Sequence, residues 1–178
     1  MSLGVHREKV RLEPHDPNWA LAFDKEKDEL QKLLKNSSNI EEIMHVGSTS
    51  IPDIMAKPLL DILMVVKDLD EARSWVPVLE AADYHLRDDM SDHLMFAKGP
   101  EDNRTVHLHV GQKGEEYIDV TTLFKEYLLK NPAAAKDYEK LKIKLAAKYP
   151  NDRKSYSPAK KDFIQNVLKA AKAGRDWS

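Results

Sequence analysis

The sequence predicts an α+β fold, with a mixed β-sheet of about five strands, packed helices and a helical C-terminal third. Three observations point there. Short apolar or alternating runs at 40–46, 59–66, 84–87, 93–98 and 104–110 have the length and pattern of strands. Apolar residues at helical spacing follow Pro17 and return at 70–82. From about residue 119 the apolar stripes are all helical in period. With 178 residues, no internal repeat and no Gly/Ser linker, the chain is expected to form a single domain over 1–178. Residues 119–175 would be its helical C-terminal extension.

Taken in order, Val10 to Glu13 reads as a short strand closed by the turn-rich PHDPNW. Asp16 then suits an N-cap and Pro17 a first helical position, and Trp19, Phe23, Leu30, Leu33 and Leu34 give a helix ending near Asn36. Ile40 to Val46 is a strand entering the turn Gly47-Ser48-Thr49-Ser50. LLDILMVV, 59 to 66, is nearly unbroken in its apolar character, as a strand covered on both faces should be. Asp70 to Ala82 is helical, with Pro77 expected to kink or restart it. Three short strands follow, and Gly99 to Asn103 joins the last two as a hairpin loop. Leu123, Phe124, Tyr127 and Leu128 mark one C-terminal helix. Asn131-Pro132 opens the next (Tyr138, Leu141, Leu145), which stops before Pro150. Ser157-Pro158 opens the last, with Phe163, Ile164, Val167 and Leu168 inward.

Composition narrows the function. The apolar share is 42% and the charged share 33%, a globular rather than a disordered profile. A net charge of −2 supplies no overall basic field, so nucleic acid is not an expected partner. The absence of cysteine rules out disulfides, thiolate zinc sites and a cysteine nucleophile. No apolar run reaches the roughly 20 residues of a membrane span, and the N-terminus lacks a signal-peptide core. No membrane partner is expected, and the cytoplasm is the expected compartment. The C-terminal helices would serve as a substrate lid or as a homodimer surface.

Three constellations could carry chemistry. In a strand, residues i and i+2 share a face, so Asp61 points with Leu63 and Val65, away from Leu60, Ile62 and Met64. A carboxylate in such a run is costly unless paired, for instance with Lys57, bonded to a backbone N–H, or metal-bound. In RTVHLHV the same rule puts His107 and His109 on one face, their backbones roughly 6 to 7 Å apart. They are either half-buried histidines on a sheet surface or, with Asp61, a two-His-one-carboxylate set for a divalent metal. The turn at Gly47, Ser48 and Thr49 offers hydroxyls and N–H groups to an oxyanion, although such tripeptides are common in loops. Lys57 follows it as a point charge for phosphate. His45 precedes it, as a proton carrier or as a cap on the sheet.

Taken together, HVGSTSIP…AKPLLDI, RTVHLHV, FKEYLLKNP…YEKLK and YSPAKKDFI resemble the GrpB family over nearly the whole chain, in specific order and spacing. The resemblance implies a fold like that of polymerase-beta-type nucleotidyltransferases, in which a Gly-Ser turn precedes a strand of metal-binding acids. Members occur alone or fused to a dephospho-CoA kinase domain, which implies nucleotide or CoA metabolism. Gly47-Ser48 matches the turn, and Asp61 matches the first acid of the Asp-x-Asp pair. Lys57, Arg104, His107, His109, Tyr138, Lys142, Tyr156 and Lys160 match the family's own pattern.

Two kinds of departure stand out. Leu63 replaces the second acid, and histidines occupy the strand of the third. Within the family pattern, Lys125-Glu126 replaces a usual Arg-Asp and Asp53 a usual Gly. The resemblance thus implies a nucleotidyltransferase-like protein that binds a nucleotide or phosphorylated small molecule, with metal-dependent nucleotidyl transfer as its reaction. Gly47, Ser48, Thr49, Lys57, Arg104, Lys142 and Lys160 would hold the ligand, and Asp61 and His45 would be catalytic. Asp61, His107 and His109 would hold one divalent metal (Mn, Fe, Zn or Mg), with imidazoles favouring the first three. The alternatives are a non-catalytic nucleotide or CoA-like ligand module and a metal-dependent hydrolase.

Overall fold

Leu60–Val66 forms β2, and its partners in a computed structural model, which describes residues 3–175 and 177, explain its apolar character. The sheet has five strands in the order β1-β2-β5-β4-β3, comprising Ile40–Val46, β2, Val106–Gln112, His93–Lys98 and Tyr84–Asp89. β2 and β5 run parallel, and the other pairs are antiparallel. The two parallel strands are central and covered on both faces, so alternation with polar residues would leave charges in the core. The architecture is therefore α+β, with a mixed open sheet and a helical C-terminal region.

One face of the sheet carries Ile62, Met64, Val66, Phe96, Leu108 and Val110. Against it pack α1 (Asn18–Leu33), through Trp19 and Leu30, and α2 (Leu69–Arg73) and α3 (Val76–Ala81), through Ala72 and Leu79. On the other face Val46, Leu63 and Val65 meet Ile118 of α4 (Glu116–Lys130). Beyond them α5 (Pro132–Lys148), α6 (Arg153–Tyr156) and α7 (Lys161–Lys172) gather around Tyr127, Leu128, Ala135, Tyr138 and Val167. Among the described residues no helix is long and apolar enough to cross a membrane.

Several boundaries differ from the sequence expectation, for local reasons. Val10 to Glu13 is not a strand. Glu13 makes one isolated bridge to Ala56, while Val10 turns away to pack with Leu145 and Tyr156 and donates to the Pro150 carbonyl. α1 ends at Leu33, three residues before Asn36, and Asp16 accepts from the Asn18 N–H at 2.9 Å. The segment 70–82 breaks at Ser74-Trp75, so Pro77 sits in the first turn of a new helix, where its missing N–H costs nothing. β5 starts at Val106, two residues late, because Arg104 bridges Val5 instead of pairing with β4. α6 is too short for periodicity to reveal.

Candidate functional site

Register brings the site together. Asp61 lies opposite His107, and Leu63 opposite His109, along the β2–β5 ladder. The Asp61 carboxylate stands 3.3 Å from His107 Nδ1, and Asp61, His107 and His109 each offer one ligand atom within 4.8 Å of the others. Gly47 makes room for this. Its φ of 68° is left-handed, and a Cβ there would sit 2.8 Å from the Asp61 Cβ, so the glycine is required for both conformation and space. Ser50 closes the turn, its N–H and hydroxyl both donating to the Gly47 carbonyl.

The protons can be placed from the partners. Arg153 can only donate, and its Nη2 lies 3.4 Å from His107 Nε2. That nitrogen therefore accepts, leaving Nδ1–H to donate to Asp61. Burial, only partly offset by Asp61, pulls His107 below the usual imidazole pKa, and burial pushes His109 down to about 4. Both rings are neutral at pH 7. Burial alone would raise Asp61, but the hydrogen bond from His107 and the surrounding positive charges, Lys57 among them, hold it below the usual carboxylate range. With a side chain 30% exposed, it remains open to the cleft.

Facing this carboxylate is a wall of cations. Gly47, Ser48 and Asp61 line a cavity of about 210 Å³ together with Lys57, Lys142, Arg153 and Lys160. Tyrosine rings hold the lysines: Lys142 Nζ is 4.8 Å from the centre of Tyr138, and Lys160 Nζ is 4.7 Å from that of Tyr156. Burial first, then mutual repulsion among the cations, pulls Lys57 and Lys142 down to about 7. Burial likewise lowers Lys160 and Arg153, with Asp61 opposing. Glu139 faces Lys142 from the same helix, but it is engaged by the Met55 N–H at 2.6 Å and by Lys136.

The cavity opens sideways into an apolar annex of about 340 Å³, walled by Ile51, Val120, Phe124, Leu128, Ile164 and Leu168. Gly47, Ser48, Asp61 and Lys160 belong to both spaces.

Of the residues singled out from the sequence, Gly47, Ser48, Thr49, Lys57, Asp61, Lys142 and Lys160 line the cationic cavity, and His107 and His109 adjoin it through Asp61. The Thr49 hydroxyl is already engaged, donating to the Leu59 carbonyl and therefore accepting from His45 Nε2 at 2.9 Å. His45 pairs with Ile62, which places it on the sheet face opposite Asp61, stacked on Phe23. Burial pushes its pKa to about 4. Arg104 lies apart from the turn, in a separate groove. Arg153 and Tyr117 were not legible beforehand. Tyr117 touches His109 Nδ1 at 2.7 Å and stacks on His93.

The donor set fits one divalent ion. The 3.3 Å separation of Asp61 Oδ1 and His107 Nδ1 is close to the edge of a tetrahedron with bonds of roughly 2.1 Å. Tyr117 can accept from His109 Nδ1–H, which frees Nε2 as a ligand and resembles the usual outer support of a metal-bound imidazole. At His107 ligation through Nδ1 would put a proton on Nε2, facing the Arg153 donor, so Arg153 must withdraw for that ligand to form.

Comparison with known proteins gives the chain its relatives. The family profile described as GrpB protein matches residues 9–170. Glutamate-rich protein GrpB of Alkalihalophilus pseudofirmus is 38% identical over 172 residues, 93% of this chain and 98% of that one. The crystal structure of conserved protein GrpB from Enterococcus faecalis superposes with a TM-score of 0.83 at 31% identity, covering 90% of this chain and 96% of that one. A dephospho-CoA kinase of Mycolicibacterium paratuberculosis is 25% identical over an alignment of 202 residues, covering 98% of this chain but 48% of that protein.

Proposed function

The chain belongs to the GrpB family, and on that premise we propose that its cleft binds a nucleotide or another phosphorylated small molecule. One observation carries the reading. Among the described residues of the cavity wall, Lys57, Lys142, Arg153 and Lys160 face one carboxylate, Asp61. Burial first, and then repulsion within the cluster, disfavours the charged form of Lys57 and Lys142, and a bound anion would restore it. A phosphate group supplies the missing charge, and the adjoining annex suits an apolar remainder such as a base. The likeness of half a protein named dephospho-CoA kinase to this chain agrees with such a ligand.

We read the fold as nucleotidyltransferase-like, because the Gly47-Ser48 turn leads into the strand that carries Asp61. Under this reading Lys57, Lys142 and Lys160 neutralise phosphate, Ser48 borders it, and Asp61, His107 and His109 would hold one ion. Manganese, iron or zinc suits two imidazoles better than magnesium does. Such an ion would supply Lewis acidity at a phosphoryl oxygen. A second reading, binding without turnover, is favoured by Leu63. It is fully buried among Val46, Val65 and Ile118, so the position of a second acid is part of the core.

The test is calorimetric titration of the protein with ATP at pH 6.5 and pH 9. Lys160→Ala is expected to weaken binding at least tenfold, and the wild type is expected to bind less tightly at pH 9, where Lys57 and Lys142 are uncharged. Equal affinities in both comparisons would end the proposal. Incubation with α-labelled nucleoside triphosphates then separates the readings, since label on an acceptor requires transfer.

A further inference from the structure

Beyond Arg153, away from the turn, lies a groove of about 450 Å³ lined by Arg7, Arg104, Arg153, Lys154 and Met95. Its charges do not balance. Glu101 alone is shared by three guanidinium groups: Arg7 donates to both of its oxygens at 2.8 and 3.0 Å, Arg104 reaches it at 3.3 Å, and Arg87 stands 3.8 Å away. Two more carboxylates reach the groove. Asp152 is taken up by the N–H and hydroxyl of Ser155, and Glu8 is exposed. Along the groove wall itself Arg7, Arg104, Arg153 and Lys154 face Glu8 and Asp152, an excess of two positive charges, and adding the neighbouring Glu101 and Arg87 leaves that excess unchanged.

Arg104 adds an independent sign. It is 5% exposed, and among the described residues its Nε has no hydrogen-bond partner. A buried guanidinium N–H is ordinarily satisfied. Planar forks of this kind fit oxyanions in pairs of parallel bonds, and a phosphate monoester carries a charge near −2 at pH 7.

We propose that this groove is a second anion site, which takes the phosphate of a second phosphorylated ligand. Arg153 lines both the groove and the cleft, so the two ligands would meet across its guanidinium, beside His107 and Asp61. The inference rests on the cleft reading for its pairing of two ligands. Occupation of the groove would also give Arg153 a partner other than His107 Nε2.

The experiment is calorimetric titration of the full chain with inorganic pyrophosphate. The wild type is expected to show two sites. Arg104→Lys keeps the charge but loses the fork, and Arg7→Ala removes an exposed member of the groove. Each should weaken one site at least tenfold and leave the other, while Lys160→Ala should do the reverse. Arg7→Ala carries the test if Arg104→Lys fails to fold. A single site removed by Lys160→Ala and indifferent to both arginine variants overturns the groove and spares the cleft. A single site lost with the arginine variants and indifferent to Lys160→Ala overturns the cleft reading instead. No binding overturns both.

Discussion

Lys142 is 2% exposed, and its ammonium donates to the Met55 carbonyl beneath the Tyr138 ring. Its pKa of about 7, against 10.5 for a free lysine, makes stability depend on pH with a definite sign. Below pH 7 both folded and unfolded chains are protonated, and the folded state bears the full desolvation cost. Between about 7 and 10 the unfolded chain binds the extra proton, so stability rises with pH. Lys57 acts in the same window, whereas His45 and His109, pushed to about 4, change stability only below pH 6.5. Urea unfolding should therefore show the free protein more stable at pH 9 than at pH 7. Lys142→Met should stabilise it at pH 7 by about 1–2 kcal/mol, after the loss of one hydrogen bond, and should weaken phosphate binding. A residue kept for structure would do neither. Such residues were visible in the sequence as lysines, but nothing in KLKIKL distinguishes the inward one at 142 from its solvated neighbours; the family pattern did so.

At the scale of elements, strand alternation put His107 and His109 on one face, because residues two apart in a strand share it. Only the parallel pairing of β2 with β5 brings Asp61 beside them. Nor was alternation enough for His45, whose face depends on antiparallel pairing with Ile62 across the turn. Turn and strand are tightly fitted there. Gly47→Ala combines a left-handed backbone with a side chain driven into Asp61, and should cost about 2–4 kcal/mol in urea unfolding. It should also weaken manganese or zinc binding, measured by calorimetry on the refolded variant. Unchanged stability would mean that the turn is free to relax away from the strand. Asp53, where the resemblance leads one to expect Gly, has a φ of 60°, so this chain adopts the left-handed conformation there without a glycine. α6 escaped notice because a four-residue helix has no period, and with it went Arg153 and the groove it lines.

Across the whole molecule, the carboxylate and imidazoles stand on the sheet, while Lys142, Arg153 and Lys160 stand on or beside the C-terminal helices. We propose that sheet and helices unfold as one domain; a single urea transition, seen alike by fluorescence and circular dichroism, is the expected result. Pyrophosphate at about 100 times the Kd of the cleft site should add about 2.7 kcal/mol to the unfolding free energy through that site alone. Amide exchange should then slow most in 150–170, the segment that carries Arg153 and Lys160. The order of elements was readable from composition and period, but which long-range partners close over the cleft was not, since Gly47 and Lys160 are joined only by the folded chain. That separation has an evolutionary corollary. Under the proposed reading, substitutions gathered in the last sixty residues would retune which molecule is welcomed, while the strands keep carboxylate and imidazoles unaltered; relatives with different clientele would then share one scaffold.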